Sequence, residues 1–196
     1  VKDVLKFYGA YHPDYAFSLN SLAYIYYKMG RYLEAEPLYQ KAYNLQKIFI
    51  GKYHPEYATT LNNMGLLYEG MGRYDKALEL HTEALAIRKA KFSEKHPIYA
   101  SSLGNLAGLY TTMERYSEAE PLYTKALAII KKTLGENHSS YANNLAHLAG
   151  LYTSMGRYIE AEPLILKANE IMKGKLDEGH PGLAFLLNGQ AELYHK

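Results

Sequence analysis

His12, His54, His96, His138 and His180 stand 42 residues apart, and the register holds through all 196 residues without insertion or deletion. Pro13, Pro55, Pro97 and Pro181 follow in step, with Ser139 the one departure. Tyr15, Tyr57, Tyr99 and Tyr141 come two residues later, then Ala16, Ala58, Ala100, Ala142 and Ala184. A period of this length marks a supersecondary unit that buries its apolar face by stacking on its neighbours. Four complete units run over 12–53, 54–95, 96–137 and 138–179. Residues 1–11 read as the tail of an earlier unit, and 180–196 as the first helix of a fifth that is cut short. Such ends, and a first residue that is Val, are expected of a piece of a longer protein.

Each unit carries two helical patterns. In the first unit Leu19, Leu22, Ala23 and Tyr26 recur at the spacing of one helix face. That pattern stops at Met29-Gly30-Arg31-Tyr32, where glycine suits a left-handed C-terminal position. Gly72 and Gly156 repeat the stop, and Glu114 replaces the glycine in the third unit. Ala35, Tyr39 and Ala42 then define a second helix running to about residue 50. Pro37, Pro121 and Pro163 are expected at or just past its first turn, where proline costs least. No stretch alternates with a period of two, so the chain reads as all-α, built of antiparallel helix pairs.

The small residues carry a more specific signal. Leu19-x-x-Leu22-Ala23-x-x-Tyr26, followed by Ala35-x-x-x-Tyr39 and Ala42, resembles the tetratricopeptide (TPR) signature. Alanines at 23, 107, 149 and 191, and Gly65, let two helices approach, while a bulky neighbour fills the remaining space. The segments His54-Pro55-x-Tyr57-Ala58, Leu61-Asn62-Asn63-Met64-Gly65-Leu66-Leu67-Tyr68 and Glu34-Ala35-Glu36-Pro37-Leu38-Tyr39 resemble the 42-residue kinesin light chain class of TPR. The resemblance covers nearly the whole chain. It implies a right-handed superhelical solenoid whose first helices line a concave groove, and protein–protein interaction as adaptor or scaffold. It implies as an alternative the regulatory or sensor arm of a larger bacterial signalling enzyme: a caspase-like peptidase, a nucleotide switch or a kinase.

Charge separates the two helices of each pair. The first-helix segments 14–29, 56–71, 98–113 and 140–155 hold four Asp, Glu, Lys or Arg, against 22 in the second-helix segments 33–50, 75–92, 117–134 and 159–176. The second helices are therefore expected on the solvated outer wall and the neutral first helices in the groove. Turning the Leu19–Tyr26 stripe to the core points 17, 21, 24 and 28 the opposite way, with 20 and 27 on a flank. The candidate peptide-binding residues are Phe17, Asn20, Tyr24, Tyr27, Asn62, Asn63, Leu66, Asn105, Asn143, His147 and Asn188. An asparagine amide offers both a donor and an acceptor, so a row of them can pair with a peptide backbone whatever its sequence. The alternatives are that the amides only polarise a surface helix, or that the flanking Asn20 and Asn62 bond a neighbouring repeat.

Of 21 tyrosines, 15 fall on repeated packing positions. The other six, Tyr8, Tyr11, Tyr24, Tyr27, Tyr43 and Tyr53, crowd into the first 53 residues. Where Phe17, Tyr24 and Tyr27 stand in the first unit, the third has Ser101, Gly108 and Thr111. An aromatic end and a glycine-floored end suit a peptide with one bulky anchor, unless the rings pack on the preceding repeat.

Several classes drop out. Without cysteine there is no disulfide framework, thiolate metal site or cysteine nucleophile, and a reducing, cytoplasmic location is expected. No apolar run reaches the roughly 18 residues of a spanning helix, so no membrane partner is expected. One histidine per layer cannot converge on one ion, so no metal or cofactor is expected and the histidines read as turn-stabilising. His81, in the slot of Tyr39 and Tyr123, reads as a satisfied core residue. Lacking a nucleophile–base pair or paired carboxylates in a pocket, the chain is not expected to be an enzyme. Net charge is +2, and Lys28 is the one basic groove position in the four complete units, which disfavours nucleic acid and acidic cargo. The slots where related domains clamp a C-terminal carboxylate hold Ser101, Asn105, Asn143 and His147. Self-association through the apolar faces of the cut ends is a further expectation.

Overall fold

A computed structural model describes residues 13–173 and divides the chain into two compact units, Val1–Ser93 and Glu94–Lys196. The helix tail expected over 1–11, the half-repeat over 180–196 and the candidate Asn188 lie outside the described residues. The first unit contains α1 (Pro13–Lys28), α2 (Tyr32–Phe49), α3 (Pro55–Gly70) and α4 (Tyr74–Phe92). The second contains α5 (Pro97–Thr112), α6 (Tyr116–Leu134), α7 (Ser139–Ser154) and α8 (Tyr158–Lys173). Among the described residues there is no strand. Within each unit the helices form two pairs, and the second helix of the earlier pair packs on the first helix of the later one.

The repeat histidine proves to be a helix cap. His54, His96 and His138 are extended N-cap residues whose Nδ1 accepts the backbone N–H two residues on: Glu56 at 3.2 Å, Ile98 at 3.1 Å and Ser140 at 3.1 Å. A neutral imidazole thus does what a serine or aspartate oxygen does at other helix starts. Pro55 and Pro97 follow at the first helical position, where the missing N–H would have had no partner.

The helix stops fall where the register places them. Gly30, Gly72 and Gly156 have φ of 72°, 71° and 72°, and Glu114 is forced to 59° in the same slot. Behind each, the next arginine N–H returns to a tyrosine carbonyl five residues back, as in Arg31 to Tyr26 and Arg115 to Tyr110. The arginine guanidinium then lies over the same tyrosine ring, 4.6 Å for Arg115 on Tyr110 and 4.1 Å for Arg157 on Tyr152. The prolines fall just past the first turn, as expected, but beyond the positions whose N–H has no partner in the helix. Pro37, Pro121 and Pro163 are each the sixth residue of their helices. Each removes a bond to the carbonyl four residues earlier, at Leu33, Ser117 and Ile159. These residues are exposed, so water can serve the carbonyls instead.

The core repeats the small-against-large code. Ala16, Ala23, Ala35 and Ala42 are fully buried in the first pair, and their counterparts Ala100, Ala107, Ala119 and Ala126 are buried in the third. Tyr39, Tyr57, Leu61, Leu103 and Ile130 fill the space the alanines leave. A carboxylate ties the pairs within each unit. Glu36 of α2 accepts from the Tyr68 hydroxyl at 3.0 Å and from Arg73 at 3.0 Å. Glu120 of α6 does the same for Tyr152 and Arg157, both at 2.9 Å.

Candidate peptide-binding face

Each unit presents the face of its first helices that is turned away from the Leu–Ala–Tyr stripe. In the first unit Phe17 and Tyr27 are half-buried and Tyr24 is exposed. The Tyr24 and Tyr27 rings lie 6.2 Å apart, and Tyr27 stacks on Tyr32 at 6.0 Å. Beneath them the Tyr39 side chain is fully buried and its hydroxyl makes no hydrogen bond. Burial, reinforced by the Tyr24 and Tyr27 phenols, raises its pKa. Tyr27 is raised as well, by burial first and then by the Glu69 carboxylate. Lys28 is exposed at the end of α1.

The amides divide. Asn63 Nδ2 donates to Asn20 Oδ1 at 3.3 Å, linking α3 to α1, so the flanking Asn20 does bond the next repeat. Asn63 is half-buried, its carbonyl oxygen accepts no hydrogen bond among the described residues, and Leu66 is half-buried as well. Asn62 is not on this face: it is buried, and its Oδ1 meets His81 Nδ1 at 3.0 Å. In the second unit Asn105 is half-buried, and its carboxamide makes no hydrogen bond among the described residues. Asn143 is exposed. The His147 ring stacks on Tyr123, 6.1 Å between centroids and 6° between planes. One side of that ring is open to solvent, but the packing around it still lowers its pKa through desolvation. A Cβ at Gly108 would come within 3.5 Å of the Tyr123 hydroxyl, so the glycine leaves this phenol next to the surface.

Sequence reasoning missed a buried polar cluster in the first unit. A Cβ at Gly65 would fall 2.6 Å from the His81 ring, so the imidazole occupies the space that alanine takes in the other repeats. His81 is only half satisfied, because its Nε2 is buried without a partner. Burial, then the nearby Arg88 charge, lowers its pKa to about 4. Arg88 is itself buried, bonds Thr59 Oγ1 at 3.2 Å, and has its pKa lowered to about 10 by desolvation. The available signal was a double departure: Gly65 and His81 break the Ala–Tyr pairing of the first and third repeats together.

Among the described residues no group of three or more His, Asp or Glu could hold a metal ion, and no helix is long and apolar enough to cross a membrane. The sequence profile described as tetratricopeptide repeat matches residues 3–47, 14–90, 56–132 and 98–173 in overlapping windows. No curated protein matches the chain. Among solved structures it resembles a Podosopora anserina protein of nearly identical TPR-like repeats, assigned to the kinesin light chains. That match has a TM-score of 0.73 at 27% identity and covers 94% of this chain and 87% of the other. A single-substitution variant of the same protein gives 0.74 at 27% identity over the same shares. BtubC (BKLC) from P. vanneervenii shares the fold, with a TM-score of 0.69 at 24% identity over 90% of this chain and 73% of that one. Helix pairs with left-handed stops, small-against-large packing and the matched profile lead to one conclusion: the chain belongs to the tetratricopeptide repeat family, with kinesin light chain-like repeats.

Proposed function

We propose that the chain binds an extended peptide segment of a partner protein on the face of its first helices, and so acts as an adaptor or scaffold. TPR repeats are in general protein–protein interaction modules. The observation that carries the finer reading is the Asn105 carboxamide, held at a half-buried position with donor and acceptor both unengaged. In the first unit Asn63 spends a donor on Asn20, and its carbonyl oxygen accepts no hydrogen bond among the described residues, so it offers an acceptor to a peptide N–H. A peptide unit presents one N–H and one C=O, and an amide side chain can pair with both. Phe17, Tyr24 and Tyr27 supply the aromatic surface for an anchoring side chain. The face is nearly free of charge, so the partner segment is neutral where it lies.

The test is a peptide array probed with wild-type protein and with Asn63→Ala/Asn105→Ala. Loss of the hydrogen bonds from two side chains to the peptide backbone should weaken bound peptides by about tenfold or more. Equal binding by both proteins would make the asparagines structural and overturn the proposal.

A further inference from the structure

The first unit holds a second recess, on the core-stripe side of α3 rather than on its amide face. A cleft of about 200 Å³ opens between α2 and α4, lined by Gln40 and Tyr43 of α2, Met64 and Tyr68 of α3, and Lys76, Glu79, Leu80 and Glu83 of α4. Drug-sized ligands take pockets of about 300 Å³ and more, so this space fits one long side chain. Its walls are of two kinds. Met64, Leu80 and the Tyr43 and Tyr68 rings suit an apolar stem. Glu79 and Glu83 lie one helical turn apart on α4, on one face. Neither forms an ion pair or hydrogen bond among the described residues.

The nearby cations lie over the rings of the cleft, not against its carboxylates, and Arg73 also sits 5.8 Å from the Tyr68 ring centroid. Lys76 Nζ sits 5.2 Å from the Tyr68 ring centroid and Lys47 Nζ 5.9 Å from that of Tyr43. The rings of this cleft therefore already attract ammonium groups, while both carboxylates stay unpaired. We propose that the cleft docks a single arginine or lysine side chain of a partner protein: the aliphatic stem lies between Tyr43 and Tyr68, and the head reaches Glu79 and Glu83. Such side chains bury the stem while the charged end stays at the rim. The same register positions in the second unit hold Leu127, Pro163 and Lys167 in place of Tyr43, Glu79 and Glu83, so the chemistry belongs to one unit of this chain. The site is separate from the face proposed above, and either can fail without the other.

The experiment follows the Met64 methyl signal by NMR in methyl-labelled full-length protein during titration with three blocked pentapeptides, identical except for a central arginine, norleucine or glutamate. The arginine peptide should shift Met64 saturably, and Glu79→Gln/Glu83→Gln should raise its dissociation constant about tenfold while the unfolding midpoint stays unchanged. Tyr43→Leu, which installs the residue of the second unit, should weaken it as well. An arginine peptide that leaves Met64 unmoved, a norleucine peptide that binds as well, or a glutamine variant that binds unchanged would each overturn the proposal. Asn63→Ala should bind the arginine peptide like wild type, which separates this site from the amide face.

Discussion

At His81 the second repeat trades one well-packed solution for another. Gly65 removes a methyl and His81 fills the gap, with Asn62 taking the Nδ1 bond. Gly65→Ala drives a Cβ to 2.6 Å from a buried ring and should destabilise the protein by roughly 1–3 kcal/mol. Gly65→Ala/His81→Tyr restores the pairing of the first and third repeats and should recover much of that loss, a non-additivity readable in urea midpoints. The same residue sets a pH dependence. The folded pKa of about 4 lies below the ordinary 6.5, so between those values the unfolded chain takes up a proton that the fold refuses. Stability is therefore complete above about pH 6.5 and falls as the pH drops toward 4. The contribution at stake is roughly 3 kcal/mol. Urea midpoints at pH 7 and 4.5 should differ more for wild type than for the double variant. Glu114 is the other strained residue: Glu114→Gly relieves a left-handed backbone and should raise the midpoint by about 0.5–1 kcal/mol.

Among the elements, what the repeat preserves most strictly is the helix start. His96→Ala removes the acceptor of the Ile98 amide and should cost about 1 kcal/mol, while His96→Asn, which can accept the same bond, should cost less. The order of the two urea midpoints checks this. The carboxylate ties act between elements. Glu120 holds Tyr152 and Arg157 at once, and partial exposure of the pair reduces its worth to about 1 kcal/mol. Glu120→Gln should lower the midpoint by that amount. Leu78 stands in the corresponding register of the second repeat, where no carboxylate is available.

For the whole chain, the charge lies on the second helices and the candidate peptide face is almost neutral. A neutral peptide held by amides and rings should bind with nearly the same affinity at 50 mM and 500 mM salt, since there is little Coulomb attraction to screen. An acidic partner held by Lys28 would weaken steeply over that range. Titration at the two salt concentrations decides between them.

The 42-residue register by itself determined the helix pairs, their boundaries within a residue or two, the left-handed stops and the alanine–tyrosine core. It could do so because these depend on contacts within one unit and one turn, which a period reports directly. Helix geometry fixes the angle of a side chain, so the register also set Asn63 and Asn105 off the core stripe, and both are half-buried. It could not say what the flanking positions do. Asn20 and Asn62 share a register, yet Asn20 meets Asn63 on the next first helix while Asn62 turns in to His81. That choice rests on space left by one missing methyl at Gly65, a distance between helices that no periodicity records. The unpaired glutamates of the cleft are of the same kind. Their spacing is visible in the sequence, but only tertiary packing brought Tyr43, Tyr68 and Met64 around them and laid Lys76 over the Tyr68 ring.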